Sequence, residues 1–187
     1  MIYITKPILL LLLFLLNLQC SGNSNAETVL DEKVQLYKKC YVNKDFICMS
    51  SMIMPSVIEQ VGGVEGFIEM MNGLPALLEA SGMQMDASQM TFKARGDLVN
   101  HDGTMVSIIP TLQPVKINGM DGNIESSVMA FSDDNGESWF FLEGSDEGKM
   151  TIANASPALL QKIDIPTPTL KLGDKTLVQK NGQWTQQ

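Results

Sequence analysis

The spacing of apolar residues changes once along the chain, and this change predicts the fold class. Up to about residue 81, apolar side chains recur at helical spacing with charged residues between them. From Met90 onward, short apolar stretches are separated by turns that contain Gly and Asn, which is typical of strands in hairpins. Helices first and a meandering antiparallel sheet afterwards predict an α+β fold, not one built from βαβ units.

Three helices are predicted. The first spans 27–43, the second is short, begins after Asp45 and ends at Met52, and the third spans 64–81. Pro55 is expected to end or bend the second helix. Gly73 and Pro75 are expected to interrupt the third helix.

The predicted strands alternate with turns, and a mixed segment follows them. The strands are 90–98, 104–112, 115–117, 124–131 and 138–142, with turns at 100–103, 119–122 and 133–136. A short helix or turn is expected at 156–163. Pro166 and Pro168 predict a stiff connector. After it, 169–185 predicts two short strands around Gly173 and Asp174, or around residues 181 and 182.

The size and charge of the chain limit its function. Its 187 residues are typical of a single domain, and its formal net charge is −8. Its densest basic pairs, Lys38 with Lys39 and Lys93 with Arg95, lie among carboxylates. Phosphate binding needs clustered Lys and Arg, so no nucleic acid partner is expected.

The N-terminal residues resemble an export signal. Lys6 precedes nine successive apolar residues at 8–16, too few to span a bilayer, which needs about 20. A short basic start and a short apolar core predict a secretory signal peptide over 1–19. A buried hydrophobic helix is the alternative.

The signal peptide could end at either of two positions. LLNLQCSGNSN resembles a bacterial lipobox, which implies an acylated Cys20, a polar tether over 20–26 and a membrane anchor through the lipid. Ser21 then resembles the sorting signal of outer-membrane lipoproteins, which implies a periplasmic or cell-surface location. Ordinary cleavage after Ala26 is the alternative.

Cys40 and Cys48 remain in the exported chain. Two cysteines in an oxidising compartment predict a disulfide, which would stabilise the fold by roughly 2–3 kcal/mol. Two buried free thiols are the alternative. Their spacing excludes a CxxC redox pair.

The order of the elements resembles a known superfamily. Four sequence segments accompany this order of elements: YVNKDF after the first helix, IIP at 108–110, SDDNGESWFF at 132–141 and a closing SPALLQKIDIP. This ensemble, over 27–165, resembles secreted members of the nuclear-transport-factor-two-like, or cystatin-like cone, superfamily. The resemblance implies one domain in which a curved sheet wraps the helices and leaves a pocket at its open end. Residues 166–187 lie outside it, as a C-terminal extension that could form a β-hairpin.

A second resemblance concerns a β-hairpin. The pattern S-x-D-x-G-x-[ST]-W is that of an Asp-box, and it is matched by Ser132, Asp134, Gly136, Ser138 and Trp139. Asp forms turn hydrogen bonds, Gly accepts a positive φ and Trp adds buried area. A single copy predicts a structural device, not glycan cleavage.

Catalytic candidates are few. His101 lies in a predicted exposed turn, where a general base would still need a partner and a pocket. The resemblance to cone-fold isomerases and dehydratases directs attention to carboxylates. Most of these are expected in turns or on helix faces, and Glu125 is expected in a strand: Asp86, Asp97, Asp102, Asp121, Asp133 and Glu125.

Methionine is the unusual component of the composition. The chain has thirteen, many of them between residues 49 and 90. Core packing is the main interpretation. A Met-lined pocket for an apolar ligand and a Cu(I) site are the alternatives.

Together these features predict an exported, lipid-anchored domain that binds a small apolar ligand or a protein partner without catalysis and without a cofactor or metal. The expected pocket lies between the third helix and the sheet, lined by Met70, Met71, Met90, Phe92 and Phe131. One alternative is an isomerase or dehydratase with a pocket carboxylate as base. Another is an interaction module whose open sheet face docks a partner or a second copy as a homodimer.

Overall fold

The computed structural model describes residues 21–180 and 182–186, and it confirms the α+β class. Helices precede a strongly curled antiparallel sheet that has the shape of a half-barrel. The expected signal peptide and the acylation of Cys20 lie outside the described residues.

Four helices come first: α1 (Ser21–Val42), α2 (Phe46–Ser50), α3 (Pro55–Gln60) and α4 (Gly63–Ala80). Asp45 caps α2, because its carboxylate accepts the backbone N–H of Cys48 at 3.0 Å. The prediction for Pro55 was wrong. Pro55 begins α3 at a first-turn position, where the missing N–H costs no helical hydrogen bond.

The helix α4 continues through Gly73 and Pro75, which were expected to interrupt it. Both residues are exposed, so water can hydrogen bond to the carbonyl that the proline leaves without a donor. Gly82, with φ of +77°, follows the end of the helix as expected.

Nine strands of the described residues form one antiparallel sheet: β1 (Met83–Met85), β2 (Thr91–Phe92), β3 (Val99–His101), β4 (Thr104–Ile117), β5 (Met120–Ser132), β6 (Phe140–Glu143), β7 (Thr169–Leu172), β8 (Lys175–Lys180) and β9 (Gln183–Gln186). The long hairpin β4–β5 is its centre. Asn118 and Gly119 form the hairpin turn with positive φ at both positions, as a two-residue turn of this twist requires.

Strands on both sides extend this hairpin. β1, β2 and β3 pair in turn along β4, and β6 and β7 pair with opposite ends of β5. The segment after Pro166 adds three strands to the same sheet through the pairing of β5 with β7, and not the two strands that the sequence predicted. Two turns connect the three strands, with Gly173 and Gly182 at positive φ.

The sheet separates two apolar cores. Alternate residues of β5 face opposite ways, so that Val128 and Ala130 join one core while Met129 and Phe131 join the other. The first core packs under the N-terminal helices and contains Ala26, Leu30, Val34, Tyr37, Cys40, Met49, Met52, Ile58, Phe67, Met105, Ile109, Val128, Ala130, Trp139 and Phe141. The second contains Val106, Met129, Phe131, Leu142, Ile152, Leu159 and Ile165.

Two helices contribute to the second core, α5 (Asp146–Ala155) and α6 (Pro157–Leu160). A short helix was expected near α6, but α5 was not predicted. Its buried residues are only Gly148 and Ile152, so it has no apolar stripe for the pattern to reveal.

The strand predicted at 90–98 is mostly irregular. Regular pairing with β4 is limited to β2, but the segment stays beside β4, because the N–H groups of Lys93 and Gly96 donate to β4 carbonyls at 2.9 and 2.7 Å. Arg95 also joins the segment to α1, because its Nε lies 2.6 Å from the Asp31 carboxylate and its Nη2 lies 3.4 Å from that of Glu27.

The predicted disulfide is present. Cys40 and Cys48 are joined with a Cα–Cα distance of 5.8 Å, linking the end of α1 to α2. The bond closes the loop that carries the turn between these helices.

Candidate functional site

An apolar groove lies where α1, α2, α4 and β1 meet, and α4 contributes four of its nine lining residues. Phe67, Met71, Leu74 and Leu78 recur at helical spacing on the inner side of α4. Only Phe67 is buried, and the other three remain half-buried because no further element covers them. An amphipathic helix normally buries this stripe, so the exposure identifies an open surface.

We call this surface the α4 groove. Its lining is predominantly apolar and comprises Tyr41, Lys44, Phe46, Met71, Leu74, Pro75, Leu78, Met85 and Ala87. Its volume is about 90 Å³. A pocket that encloses a drug-sized ligand measures about 300–1,000 Å³, so the groove fits one or two side chains.

The disulfide loop forms one wall of the α4 groove. Tyr41, Lys44 and Phe46 all lie between the two bonded cysteines. The ring of Tyr41 also packs edge-on against Phe92, with 5.9 Å between centroids. The covalent bond and this aromatic contact together fix the wall.

Exposed apolar side chains continue the groove along α4. Leu74 has Met70 four residues before it and Leu77 three residues after it, so these three share one side of the helix. Met70 is 47% exposed and Leu77 is 69% exposed. Ile47 on the neighbouring α2 is also 69% exposed.

The structure does not bring the five predicted pocket residues together. Met71 lines the α4 groove, and Phe92 packs against the first core beside Tyr41. Met70 is exposed on α4, and Met90 is half-buried before β2. Phe131 is fully buried in the second core, on the opposite face of the sheet, because strand side chains alternate.

A second cluster joins two tyrosines to Glu143. Tyr37 stacks on Phe141 with 4.4 Å between ring centroids. Burial raises the pKa of the Tyr37 and Tyr41 hydroxyls, and the charge of Glu143 raises both further. Glu143 is exposed to solvent, but protein atoms around its carboxyl still raise the pKa of that group, and Glu147 adds to this effect.

Glu143 was missed in the sequence. It lies two residues after the buried Phe141, opposite Val128, so strand alternation places it on the side of the helices. That alternation was the available signal. Its raised pKa comes from burial by neighbouring protein atoms and from Glu147, and the sequence does not predict that burial.

Glu143→Gln is expected to raise the free energy of unfolding near pH 7 by less than about 1 kcal/mol, since solvent screens part of the effect. Folding raises the pKa of this carboxyl, so its contribution to stability is present below the unfolded pKa and is lost as pH rises through the folded pKa. The increase in the free energy of unfolding of Glu143→Gln should therefore disappear at acidic pH. Urea unfolding at a series of pH values measures it, with Glu32→Gln as the control for an exposed charge. An equal gain at acidic and neutral pH would contradict the assignment.

The carboxylates singled out in the sequence lie elsewhere. Glu125 forms an ion pair with Lys171 at 3.0 Å, which lowers its pKa, and Asp121 lies 3.3 Å from Lys116. Asp86 caps a short 3-10 helix through Ser88, whose hydrogen bonds lower its pKa. The remaining three are exposed: Asp97, Asp102 and Asp133.

His101 lies at the turn between β3 and β4. Its Nδ1 is 3.2 Å from Lys162 Nζ, and its Nε2 is 3.7 Å from the exposed carboxylate of Asp102. It does not line the α4 groove.

The loop between β5 and β6 is closed by its own side chains. The carboxylate of Asp134 accepts the Ser132 hydroxyl at 2.8 Å and the Ser138 N–H at 2.9 Å. The Trp139 indole donates to the Gly136 carbonyl at 3.1 Å. Gly136 has φ of +85°, and a Cβ there would lie 2.6 Å from the Cβ of Ala26.

Within the described part of the chain, no group of three or more His, Cys, Asp or Glu side chains is arranged to hold a metal ion. Among the same residues, no helix combines the length and apolarity needed to cross a bilayer. The methionines Met49, Met52, Met105 and Met129 are buried in the two cores.

Comparison of the chain with known protein families, with curated proteins and with solved structures finds no match.

Proposed function

We propose that this chain is an exported, lipid-anchored domain that binds a protein partner without catalysis, through the α4 groove. The observation that carries the proposal is the uncovered apolar stripe of α4, which continues into the exposed Met70 and Leu77. The small volume of the groove favours insertion of a partner's side chains over enclosure of a whole apolar ligand. The disulfide supports export, because such bonds persist in oxidising compartments.

Export and anchoring form part of the same proposal. Acylation of Cys20 would place the domain at the periplasmic or outer surface of a bacterial membrane, directly before α1. The expected polar tether over 20–26 is not free chain, because α1 begins at Ser21 and Ala26 is buried in the first core. Mass spectrometry of the mature protein tests this. Acyl chains on Cys20 support the anchor, whereas a free N-terminus at Glu27 contradicts it.

Methionine methyl groups report directly on the α4 groove. Met71 and Met85 line it, whereas Met129 is buried in the second core and serves as an internal control. On titration with a neutral amphipathic Leu/Gln peptide, the methyl resonances of Met71 and Met85 should shift and that of Met129 should not. Octanol serves as the small-ligand arm, and a response to octanol alone would favour the small apolar ligand.

A substitution in the groove completes this test. Leu74→Ser should remove the response to the peptide, because it places a hydroxyl on the apolar floor of the groove. Leu36→Ser is the matched control, since Leu36 is 41% exposed on α1 and lies outside the groove lining. Equal responses of both variants and the parent would contradict binding at the groove.

We also propose that the fold is a member of the nuclear-transport-factor-two-like cone superfamily. The N-terminal helices under a curled antiparallel sheet support this assignment. An experimental structure that superposes poorly on cone-fold domains would contradict it.

The loop from Ser132 to Trp139 is proposed to be an Asp-box that stabilises the hairpin. Partial burial opposes the charge of Asp134, but hydrogen bonds from Ser138 and Ser132 outweigh it and lower the pKa of the carboxyl. Asp134→Ala should lower the free energy of unfolding by about 1–2 kcal/mol, because it removes an acceptor for two donors. Asp133→Ala, a change at the adjacent exposed residue, is the control, and equal losses in urea unfolding would contradict the role of Asp134.

An isomerase- or dehydratase-type enzyme is the second candidate function, with Glu143 as its base. The raised pKa of this carboxyl beside two tyrosines favours it, since a general base works best with a pKa near the working pH. The test is exchange of α-protons of simple ketones in D2O, followed by NMR. Exchange that Glu143→Gln abolishes would support the enzyme, and no exchange with the parent protein would leave the binding domain as the better account.

A further inference from the structure

The strand β9 forms an open edge of the sheet. It is the last strand in the order β1-β4-β5-β7-β8-β9, and among the described residues it pairs only with β8. An edge strand presents a row of unpaired N–H and C=O groups that can pair with a strand of another chain.

Trp184 and Gln186 direct their backbone groups towards this open edge. The N–H of Gln179 on β8 donates to the Pro168 carbonyl at 3.0 Å, so the backbone groups of Gln179 face β7. Trp184 lies directly opposite Gln179, and the two therefore form a pair without hydrogen bonds between them. The N–H and C=O groups of Trp184, and of Gln186 two residues later, consequently point away from β8.

β9 lacks the residues that usually protect an edge strand. Natural sheets prevent pairing at their edges with charged side chains, above all Lys, and with proline. The residues of β9 are Gln, Trp, Thr and Gln, with no charge and no proline. At the other end of the strand order, α4 lies beside β1, whose Met85 lines the α4 groove. Only the length of β9, four residues, limits pairing at its edge.

A second copy of β9 is complementary to this edge. If a two-fold axis passes between two antiparallel copies at Thr185, Trp184 of each copy lies opposite Gln186 of the other. Each of these two pairs exchanges two N–H···O=C bonds, and all four bonds use groups within β9. An axis at Trp184 would give only two bonds within the strand, because the next pair requires Gly182 of the β8–β9 turn.

This register also brings apolar side chains together. Leu177 lies opposite Gln186 in the β8–β9 pair, and alternation places Trp184 on the same side of the sheet. Trp184 is half-buried in the single copy. Across the axis, the two Trp184 residues would be diagonal neighbours at about 7–8 Å, within reach of aromatic side chains.

The positive charges of the sheet permit this contact. The formal net charge of −8 makes two copies repel each other over much of their surface. The charged residues nearest to β9 along the sheet are Lys175 and Lys180 of β8. The β8 strands of the two copies would lie three strand spacings apart, which is about 14 Å. Screening at physiological salt acts over about 8 Å, so repulsion between these lysines is small.

The carboxylates near β9 are also kept apart. Gly182 of the β8–β9 turn shares a small cavity with Glu143, Asp146 and Glu147. The two-fold axis at Thr185 places the two turns at opposite ends of the paired strands, about 20 Å apart. The two groups of carboxylates are therefore screened from each other as well.

We propose that two copies of the chain associate by antiparallel pairing of their β9 strands, so that one sheet continues through both copies. This inference goes beyond the proposed function, because the α4 groove lies at the other end of the strand order. Four residues from each copy are few beside the roughly 20–30 on each side of a stable interface, so the association is weak and depends on concentration.

A cysteine at the two-fold axis traps this dimer. Thr185 of one copy would lie opposite Thr185 of the other in a pair without backbone hydrogen bonds, whose Cα atoms are about 4.5 Å apart. That distance lies within the range of about 4.4–6.8 Å for a disulfide. The full chain with Thr185→Cys should convert largely to a dimer under mild oxidation, measured on a gel without reductant, and a reductant should restore the single chain.

Gln183→Cys is the matched control. Gln183 is exposed on the same strand, and its Cα would lie about 14 Å from that of Gln183 in the second copy. This variant should give only the dimer that the parent chain forms through Cys20. Equal cross-linking of the two variants, or no dimer from Thr185→Cys, would overturn the proposal.

A proline at Gln186 identifies the backbone pairing. The N–H of Gln186 points away from β8, so its loss breaks no hydrogen bond of the β8–β9 pair, but it removes two of the four bonds between the copies. In the Thr185→Cys chain, Gln186→Pro should remove most of the cross-link, and Gln186→Ala should retain it. Circular dichroism checks that both variants keep the fold. A cross-link that survives the proline in a folded chain contradicts pairing through β9.

Discussion

Replacing Phe141 with alanine is expected to lower the free energy of unfolding by about 3–5 kcal/mol. The side chain is fully buried and stacks on Tyr37, so its loss leaves a cavity between α1 and the sheet. The neighbouring backbone adds to the constraint, because the Phe141 N–H donates to the Met52 carbonyl at 2.8 Å and limits collapse of the site. Urea unfolding followed by circular dichroism measures the loss.

Phe140→Ala is the matched control. Phe140 is the preceding residue of β6, half-buried on the other face of the sheet. Its replacement should cost clearly less than that of Phe141, since less apolar area returns to water. Equal losses would show that the first core does not depend on the stacked pair.

The second large effect is expected from removal of the disulfide. The double variant Cys40→Ala, Cys48→Ala should lower the free energy of unfolding by about 2–3 kcal/mol, because the unfolded chain regains the freedom that the closed loop removes. The α4 groove should also respond, since three of its lining residues lie in this loop. A weaker or absent shift of the Met71 methyl group on addition of the Leu/Gln peptide would report it.

Reduction of the native chain separates the bond from the side chains. It breaks the covalent link without removing the sulfur atoms, so a similar loss of stability on reduction identifies the link as the cause. If the reduced protein keeps the stability of the oxidised one, the loss in the double variant arises from packing of the buried Cys40.

Local sequence signals predicted the parts of the fold that local physics controls. Helical spacing located α1, and the carboxylate of Asp45 marked the start of α2. The turn expected at 119–122 was misplaced, because Asn118 and Gly119 form it and β5 already begins at Met120. The compartment argument predicted the pairing of Cys40 with Cys48. The helix signals lie within a few residues of the structure that they predict. The disulfide prediction depends on the expected oxidising compartment.

Long-range contacts decided the rest. Arg95 joins the segment after Phe92 to Asp31, a residue 64 positions away, and no local pattern predicts that contact. The segment after Pro166 gave no sign in the sequence that it would join β5, because strand pairing over that distance leaves no local pattern.

The candidate site was predicted only in outline. Of the five residues predicted to line a pocket, only Met71 lines the α4 groove. The exposure of Leu77 was not predictable from the sequence. A helical apolar pattern shows which side chains favour burial, but not whether another element packs over them. For Glu143, the raised pKa depends on tertiary burial and on the charge of Glu147.

The two-sided packing of β5 has a consequence for how faithfully the chain folds. A slip of one residue against β4 would exchange the occupants of the two sides, so that the small Ala130 and the bulky Phe131 would each enter a space shaped for the other. In a sheet with one solvated side, such a slip disrupts the packing of one core only. Here it would disrupt the packing on both sides of β5. Misaligned hairpins are therefore strongly disfavoured.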